Sequence, residues 1–374
     1  MAKIYLHKKL KNLIIVCLVF AIVFILLSVL LLSDSFSNEK GYLFGDYNDV
    51  ISSVPNISLK NPKINEIAML GSHDSFSDKI TSSSAIDPAN SGIMGNKVFA
   101  AMTKGLFVRY SVTQEADALG QLSLGVRYFD IRASLYNGEW WTKHGRLSGK
   151  LDEYIKQILQ FSSQNDGEVI ILDFQHVYYG GLSVNAFFDY LSTVTVEGKS
   201  LYDYVPYYAS EKPIDSLRYN DVCNGGKTGL VMLFNCEDYD YGFEDIDSTY
   251  KKHFYDREND VRSLWHPTCN SKKLIKEIDN ETALLNSTTE YDGKIRINQT
   301  QHSFQADGIF NAIFGWSLLN IADDYNLKLL ENSNFNAWLE AMPIFMVDFA
   351  TSKKGNFNQK VNDAIFKYNE NLCR

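Results

Sequence analysis

Three short stretches carry ionisable side chains at spacings that could do chemistry: Gly71-Ser-His-Asp-Ser75, Gly125-Val-Arg-Tyr-Phe-Asp-Ile-Arg132 and Lys143-His-Gly145. Residues i and i+2 of a strand point to the same face. Asp130 and Arg132 are therefore expected side by side at the C-terminal tip of the apolar run over 126–131. Charges there are costly to bury unless paired or used, and an isolated Asp-x-Arg reads as an ordinary edge salt bridge. The surroundings change that reading. His73 and Asp74 end the preceding apolar run, His144 ends the following one, and Asp173 and Asp348 end two later ones. Two imidazoles, a guanidinium and several carboxylates on one face suit acid–base work on an anionic group. A guanidinium fork matches phosphate oxygens. One imidazole can take a proton while the other gives one, and a carboxylate holds an imidazole in its useful tautomer. With no G-x-S-x-G elbow and no P-loop, acyl transfer and nucleotide chemistry have little support.

Regular elements must bring these residues together. Hydrophobic patterning predicts strands over 64–70, 126–131, 139–143, 168–174, 230–234 and 344–349. It predicts helices over 114–124, 148–163, 187–191, 272–285 and 356–372. Such alternation implies parallel βα units. In a parallel barrel the C-terminal strand ends form the catalytic face, which is where His73, Asp74, Asp130, Arg132, His144, Asp173 and Asp348 fall. Residues 77–106, small and polar, read as a long loop that covers a site. Asp173 reads equally as an acid at the mouth or as a helix N-cap, and Lys143 as a phosphate contact or a solvated charge. His176, His253, His266 and His302 read as surface or capping residues. Trp140 and Trp141 are expected to split, one into the core and one outside. Tyr178, Tyr179, Tyr207 and Tyr208 suit core packing first and an aromatic membrane rim second.

The 374 residues, 45% hydrophobic and 13% aromatic, suit a folded chain with a sizeable core. The net charge of −9 argues against a nucleic-acid footprint and against bulk attraction to anionic lipid. Residues 1–12 are basic, with Lys3, Lys8, Lys9 and Lys11. Residues 13–32 are apolar throughout apart from Cys17 and Ser28, matching the roughly 20 residues that cross a bilayer. The basic flank places the N-terminus in the cytoplasm, and no small-residue cleavage site follows. The segment is read as an uncleaved anchor in preference to a cleaved signal, with the rest of the chain outside the cytosol and, in the second case, secreted. Residues 33–62 read as a linker and 63–374 as the catalytic unit. Cys223, Cys236, Cys269 and Cys373 lack a C-x-x-C spacing, so a zinc site is not expected. Their pairing is open, Cys223 with Cys236 being the first to test.

The three opening stretches, together with Glu168-Val-Ile-Ile-Leu-Asp173, resemble in order and spacing the X domain of phosphatidylinositol-specific phospholipase C. The resemblance spans roughly 64–180 and continues weakly to the Asp348 strand. It implies a distorted (β/α) TIM-like barrel, here preceded by the transmembrane helix, that cleaves inositol phospholipids by internal attack to give diacylglycerol and a cyclic 1,2-phosphate. It implies roles as well: His73 as general base oriented by Asp348, His144 as general acid assisted by Asp74, Arg132 on the phosphate oxygens, and Asp130 supporting Arg132. Lys143 and Asp173 would be substrate contacts. Calcium-dependent members place a carboxylate where Arg132 stands. A fixed cation there disfavours a divalent ion, so neither metal nor cofactor is expected, as in the bacterial branch. Gln175 departs from the basic residue often found in relatives, which leaves the headgroup open. The partners implied are a phospholipid membrane and its inositol lipid; no protein partner is implied. A metal-dependent glycerophosphodiester or sphingomyelinase D-like phosphodiesterase, and an inactive headgroup-binding barrel, are the alternatives.

Overall fold

The computed structural model describes residues 47–89, 104–236, 241–303 and 317–374. Ten strands form one sheet: β1 (Met69–Ser72), β2 (Val126–Tyr136), β3 (Glu139–Lys143), β4 (Leu147–Lys150), β5 (Val169–Tyr178), β6 (Gly229–Phe234), β7 (Phe254–Asp256), β8 (Val261–Ser263), β9 (Ile295–Gln299) and β10 (Ile344–Val347). Eight of them run parallel in the order β7-β6-β5-β2-β1-β10-β9-β8 and curl into a nearly closed TIM-like barrel. β7 and β8 do not pair, so the barrel is open between them. Only the one-turn helix Arg257–Asp260 joins them. Parallel neighbours need a crossover of about a dozen residues or more, so this connection is too short to set the two strands side by side.

The remaining strands, β3 and β4, are antiparallel additions to β2. Residues 139–143 therefore form a hairpin arm and not a barrel strand. Asn137 and Gly138 turn the chain, with φ of 51° and 79°. Positive φ at both positions is what a two-residue hairpin turn demands, and Asn-Gly satisfies it readily. β2 is accordingly longer than the 126–131 run, and Asp130 and Arg132 lie in mid-strand, not at a tip. A register shift after Ile131 accompanies the change from barrel wall to arm.

Alternation divides the sheet cleanly. Phe129 stacks on Phe76, which stacks in turn on Tyr154 of the helix Leu151–Gln164, while Phe174 meets Phe187 edge-on and Phe345 meets Phe335, both partners lying in helices outside the barrel. Their strand neighbours Tyr128, Asp130, Asp173, Ile344 and Met346 therefore face inward. Gly71 sits among these inward residues, and a Cβ there would lie 2.9 Å from the Tyr128 ring. The closing helix Phe357–Leu372 spends two asparagines on one carbonyl: Asn358 and Asn362 both donate from Nδ2 to Leu124 O. Gly125 follows with φ of 90°, and a Cβ would collide with the Asn362 amide.

Several expectations change. The helix predicted over 114–124 spans only Ala118–Ser123. Asp117 caps it by accepting from Gly120 N, and Gln114 stays extended to bond strand ends. Of the expected loop over 77–106, residues 77–89 are turns and a helix begins at Lys104; residues 90–103 lie outside the described part. The predicted transmembrane segment 13–32 also lies outside the described residues, among which no helix is long and apolar enough to cross a membrane. Within the expected linker, residues 47–62 pack against the barrel and bury Ile51, Val54 and Ile57. Cys223, Cys236 and Cys373 are free thiols. Cys223 and Cys236 flank the buried strand β6 at opposite ends, too far apart for a disulfide. Trp140 is buried and Trp141 half-buried, as expected. Tyr207 and Tyr208 are not a rim of the mouth, since Tyr207 donates to Leu230 O near the N-terminal end of β6.

One ion pair holds residues 47–62 in place. Arg127 and Glu168 are fully buried, with Nε–Oε2 at 2.6 Å. Glu168 also accepts from Ile51 N and Ser52 N, while Arg127 donates to Tyr47 O, Asn48 O, Leu122 O and Val126 O. Every charge is answered, so losing one partner leaves the other uncompensated. Urea unfolding of Glu168→Gln is expected to show a loss of about 3–5 kcal/mol. A loss under 1 kcal/mol would mean the pair is not a structural fastener.

Candidate active site

All eight residues singled out in the sequence lie at the C-terminal side of the barrel strands or on the adjoining arm, and four of them, His73, Asp130, Arg132 and His144, contact Asp74. His73 leaves β1 directly, and its N–H bonds Val347 O of β10. Asp74 then takes φ of 43°, a left-handed conformation that Asp tolerates better than most residues. The turn breaks the alternation of the strand, so that consecutive side chains both reach the mouth. It is held by Asp74 N, which donates to Asp130 Oδ2 at 3.1 Å.

The Asp74 carboxylate is completely buried. Its Oδ1 lies 2.5 Å from Arg132 Nε, and its Oδ2 lies 3.2 Å from Nε2 of both His73 and His144. The two imidazole rings stand 6.0 Å apart, steeply tilted to each other. His73 Nδ1 meets Asp348 Oδ1 at 2.8 Å, and His144 Nδ1 donates to Ser111 O at 3.0 Å. Each ring thus has its Nδ1 occupied and its Nε2 turned to the shared site. Arg132 is held from below by Asp130, with Nη2–Oδ2 at 3.2 Å, and its Nη2 reaches 3.4 Å from His73 Nε2.

Burial pushes the His73 pKa down, but the Asp74 and Asp348 carboxylates outweigh it and raise it to about 9. Burial would raise the Asp74 pKa; Arg132, then His144 and His73, reverse that and hold it below the ordinary carboxylate range. Burial raises Asp348 despite His73 beside it. The site thus holds one carboxylate firmly ionised between three cationic or protonatable groups.

The other two candidates stand apart from this cluster. Lys143 pairs with Asp87 at 3.2 Å, and burial lowers its pKa. Asp87 is held in turn by Ser134 Oγ at 2.6 Å. Asp173 is no helix cap, because it lies within β5, fully buried. It takes Arg257 Nε at 2.8 Å and the Tyr128 hydroxyl at 2.5 Å, with Gln175 Nε2 at 3.2 Å. Among the histidines set aside, burial lowers His176 to about 3 and His253 and His302 to about 4, so all three stay neutral near pH 7.

Sequence reasoning missed the residues that fix the cluster through the backbone. Gln114 Nε2 donates to His73 O and Val347 O, and its Oε1 accepts from Ala350 N, so one amide ties the ends of β1 and β10. Asn326 Nδ2 donates to Asp348 O. Ser111 sets the His144 tautomer with a carbonyl that no side-chain pattern reveals. Arg257 could have been suspected only as a lone cation after the short strand β7. Three ligand atoms of His73, Asp74 and Asp130 lie within 4.8 Å of one another, close enough for a metal by spacing alone. The Arg132 guanidinium already answers both carboxylates.

No family model matches the sequence. Over 136 residues the chain is 34% identical to human PI-PLC X domain-containing protein 3, covering 35% of this chain and 42% of that protein. Over 156 residues it is 28% identical to the variant-surface-glycoprotein phospholipase C of Trypanosoma cruzi, covering 39% of this chain and 40% of that one. The chain thus spans about two fifths of the length of these curated relatives. Among solved structures, phosphatidylinositol-specific phospholipase C from Staphylococcus aureus superimposes with a TM-score of 0.58 at 16% identity, covering 87% of this chain and 98% of that one. The enzyme from Listeria monocytogenes gives 0.54 at 17% identity, covering 87% and 99%. At such identities the structural likeness speaks for the fold, and the aligned X domains speak for descent. Over the aligned stretch the chain is similar to the X domains of phosphatidylinositol-specific phospholipase C proteins, and its barrel has the fold of the bacterial enzymes.

Proposed function

We propose that this chain cleaves the phosphodiester of an inositol phospholipid, of the phosphatidylinositol or glycosyl-phosphatidylinositol type, without a metal ion. The observation that carries the reading is the meeting of two imidazole Nε2 atoms and a guanidinium on one buried carboxylate. Neutral His73 takes the proton of the inositol 2-hydroxyl at Nε2, with Asp348 stabilising the imidazolium that forms. The oxygen attacks phosphorus in line, and the bond to the diacylglycerol oxygen breaks. That oxygen takes the Nε2 proton of His144, whose ring Asp74 contacts and Ser111 holds in place. Arg132 neutralises the charge that grows on the non-bridging oxygens, where preorganised donors act most strongly. The products are diacylglycerol and the cyclic 1,2-phosphate. Lys143 and Asp173, both at the mouth and both paired, are proposed to meet the headgroup indirectly, through the groups they hold. Residues 13–32 are proposed to anchor the enzyme with its catalytic unit outside the cytosol, a reading supported by the basic flank at 1–12.

The rival reading, a metal-dependent phosphodiesterase on the same barrel, has one observation in its favour, the His73–Asp74–Asp130 spacing. A divalent ion there would have to displace Arg132 from two buried carboxylates, or sit beside its charge.

Phosphorus NMR of the reaction with phosphatidylinositol vesicles separates the readings. A cyclic inositol phosphate formed equally with and without EDTA is expected; an open-chain phosphate, or turnover that EDTA abolishes and calcium restores, would exclude the mechanism. His144→Ala is expected to lower kcat by about 10²–10⁴-fold; unchanged turnover would show that His144 is not the general acid, and a wild-type chain without turnover would leave only a headgroup-binding barrel. Because His73 works as a base only when deprotonated, kcat/KM is expected to climb with pH toward the raised value near 9. Asp348→Asn removes a carboxylate that favours the imidazolium, so the rising limb should move to lower pH while the maximal rate falls. A limb that stays put in that variant would show that His73 is not the titrating base.

A further inference from the structure

The mouth has a second polar wall that the chemistry above does not use. On β9, Gln299 is in register with Met346 of β10 and so shares its inward face. Gln301 lies just past the strand, beside Thr300, whose N–H bonds Met346 O two residues before Asp348. Gln299 Nε2 donates to Ser263 Oγ at 2.7 Å, and Gln301 Nε2 donates to Gln299 Oε1 at 2.8 Å. The three side chains form a ladder that runs up the inside of the barrel. It ends in Gln301 Oε1, a buried acceptor with no hydrogen-bond partner, on a side chain whose residue is only 4% exposed. Such an orphan in a native core calls for an explanation. An apolar side chain would fill the same space at no cost in unmet hydrogen bonds, so a stacked pair of carboxamides is an expensive way to build a wall.

We propose that Gln301 reads a free hydroxyl of the headgroup ring, accepting its proton at Oε1 on the side of the site next to Asp348 and His73. The inference rests on the phospholipase reading and deepens it. Because the Nε2 of Gln301 is spent on Gln299, the group it leaves unmet is an acceptor. An acceptor welcomes a hydroxyl and repels a phosphate oxygen. This wall therefore selects a polyol whose hydroxyl facing it is not esterified with phosphate. Gln299 and Ser263 act as positioning residues: they orient the Gln301 amide and touch no substrate. A site built to bond a hydroxyl discriminates strongly against ligands lacking it, because its own buried group is then left unmet.

The test uses the full-length chain, phosphatidylinositol vesicles, and free myo-inositol as a competitive probe. Gln301→Leu keeps the volume and removes the acceptor. It is expected to raise KM for phosphatidylinositol and the inhibition constant for myo-inositol about 10-fold or more, with the limbs of the pH profile unmoved. Gln299→Leu should produce a smaller rise in both. In the wild-type protein, the side-chain amide resonance of Gln301 should shift on adding myo-inositol and not on adding glycerol, a readout that survives even if the variants fail to fold. Unchanged constants in a folded Gln301→Leu variant, or an amide resonance indifferent to myo-inositol, would overturn the proposal. Failure of the phospholipase reading would show separately, as a wild-type protein that binds myo-inositol at Gln301 yet forms no cyclic phosphate.

Discussion

The constraint on which the site depends is the burial of the Asp74 carboxylate. An ion that far from water is tolerable only when its charge is answered at close range. Here Arg132 answers one oxygen, and the two imidazoles share the other. The arrangement is mutual. Asp74 draws both rings and the guanidinium into one place, and they keep Asp74 ionised. Removing any member would leave the rest either repelling or unpaired. The site is therefore assembled by its own electrostatics, within a frame that limits how far each part can move.

That frame is built from backbone commitments more than from side-chain packing. β1, β2 and β10 deliver His73, Asp130 and Asp348 from neighbouring strands of the barrel. Gln114 and Asn326 use their amides to lock the ends of those strands. The positive φ of Asp74, and that of Phe349 just after Asp348, mark where the chain departs from regular geometry to aim these groups. Strain of this kind persists only where the surroundings over-determine it, and here the hydrogen bonds around it do so. The fourth component, His144, arrives on the β2–β3–β4 arm, outside the barrel proper. The proposed acid and the proposed base thus sit on different structural units, and Asp74 and Ser111 supply the link between them.

The opposite end of the barrel solves a similar problem for a different purpose. Arg127 and Glu168 are as deeply buried as Asp74, yet each has its hydrogen-bonding capacity used by backbone groups of residues 47–52 and of the segment leading into β2. Charge at one end closes the barrel floor. Charge at the other leaves Nε2 atoms and guanidinium N–H groups facing the mouth. The difference lies in whether the chain itself completes the coordination of each ion.

Much of this was legible in the residues alone. Apolar runs ending in His, Asp or Arg announced strands with a functional end, and their alternation with helical patterns announced a parallel barrel, because burial on both faces leaves few other ways to write such a strand. The order and spacing of His73-Asp74, Asp130-x-Arg132 and His144 carry the resemblance to the phospholipase C X domain. Asn137-Gly138 was also legible as a hairpin, and passing over it made the Trp-rich arm look like a barrel strand. Tertiary structure alone decided the rest. That Asp173 faces Arg257 and Tyr128 instead of capping a helix depends on strands far apart in sequence. That Ser111 orients His144 depends on a carbonyl, which every residue possesses and no pattern can flag. That Gln301 stacks on Gln299, and Gln299 on Ser263, depends on how β9 meets its neighbours β8 and β10. Sequence records which groups could react; only the fold sets which of them share a dielectric, a distance and a proton.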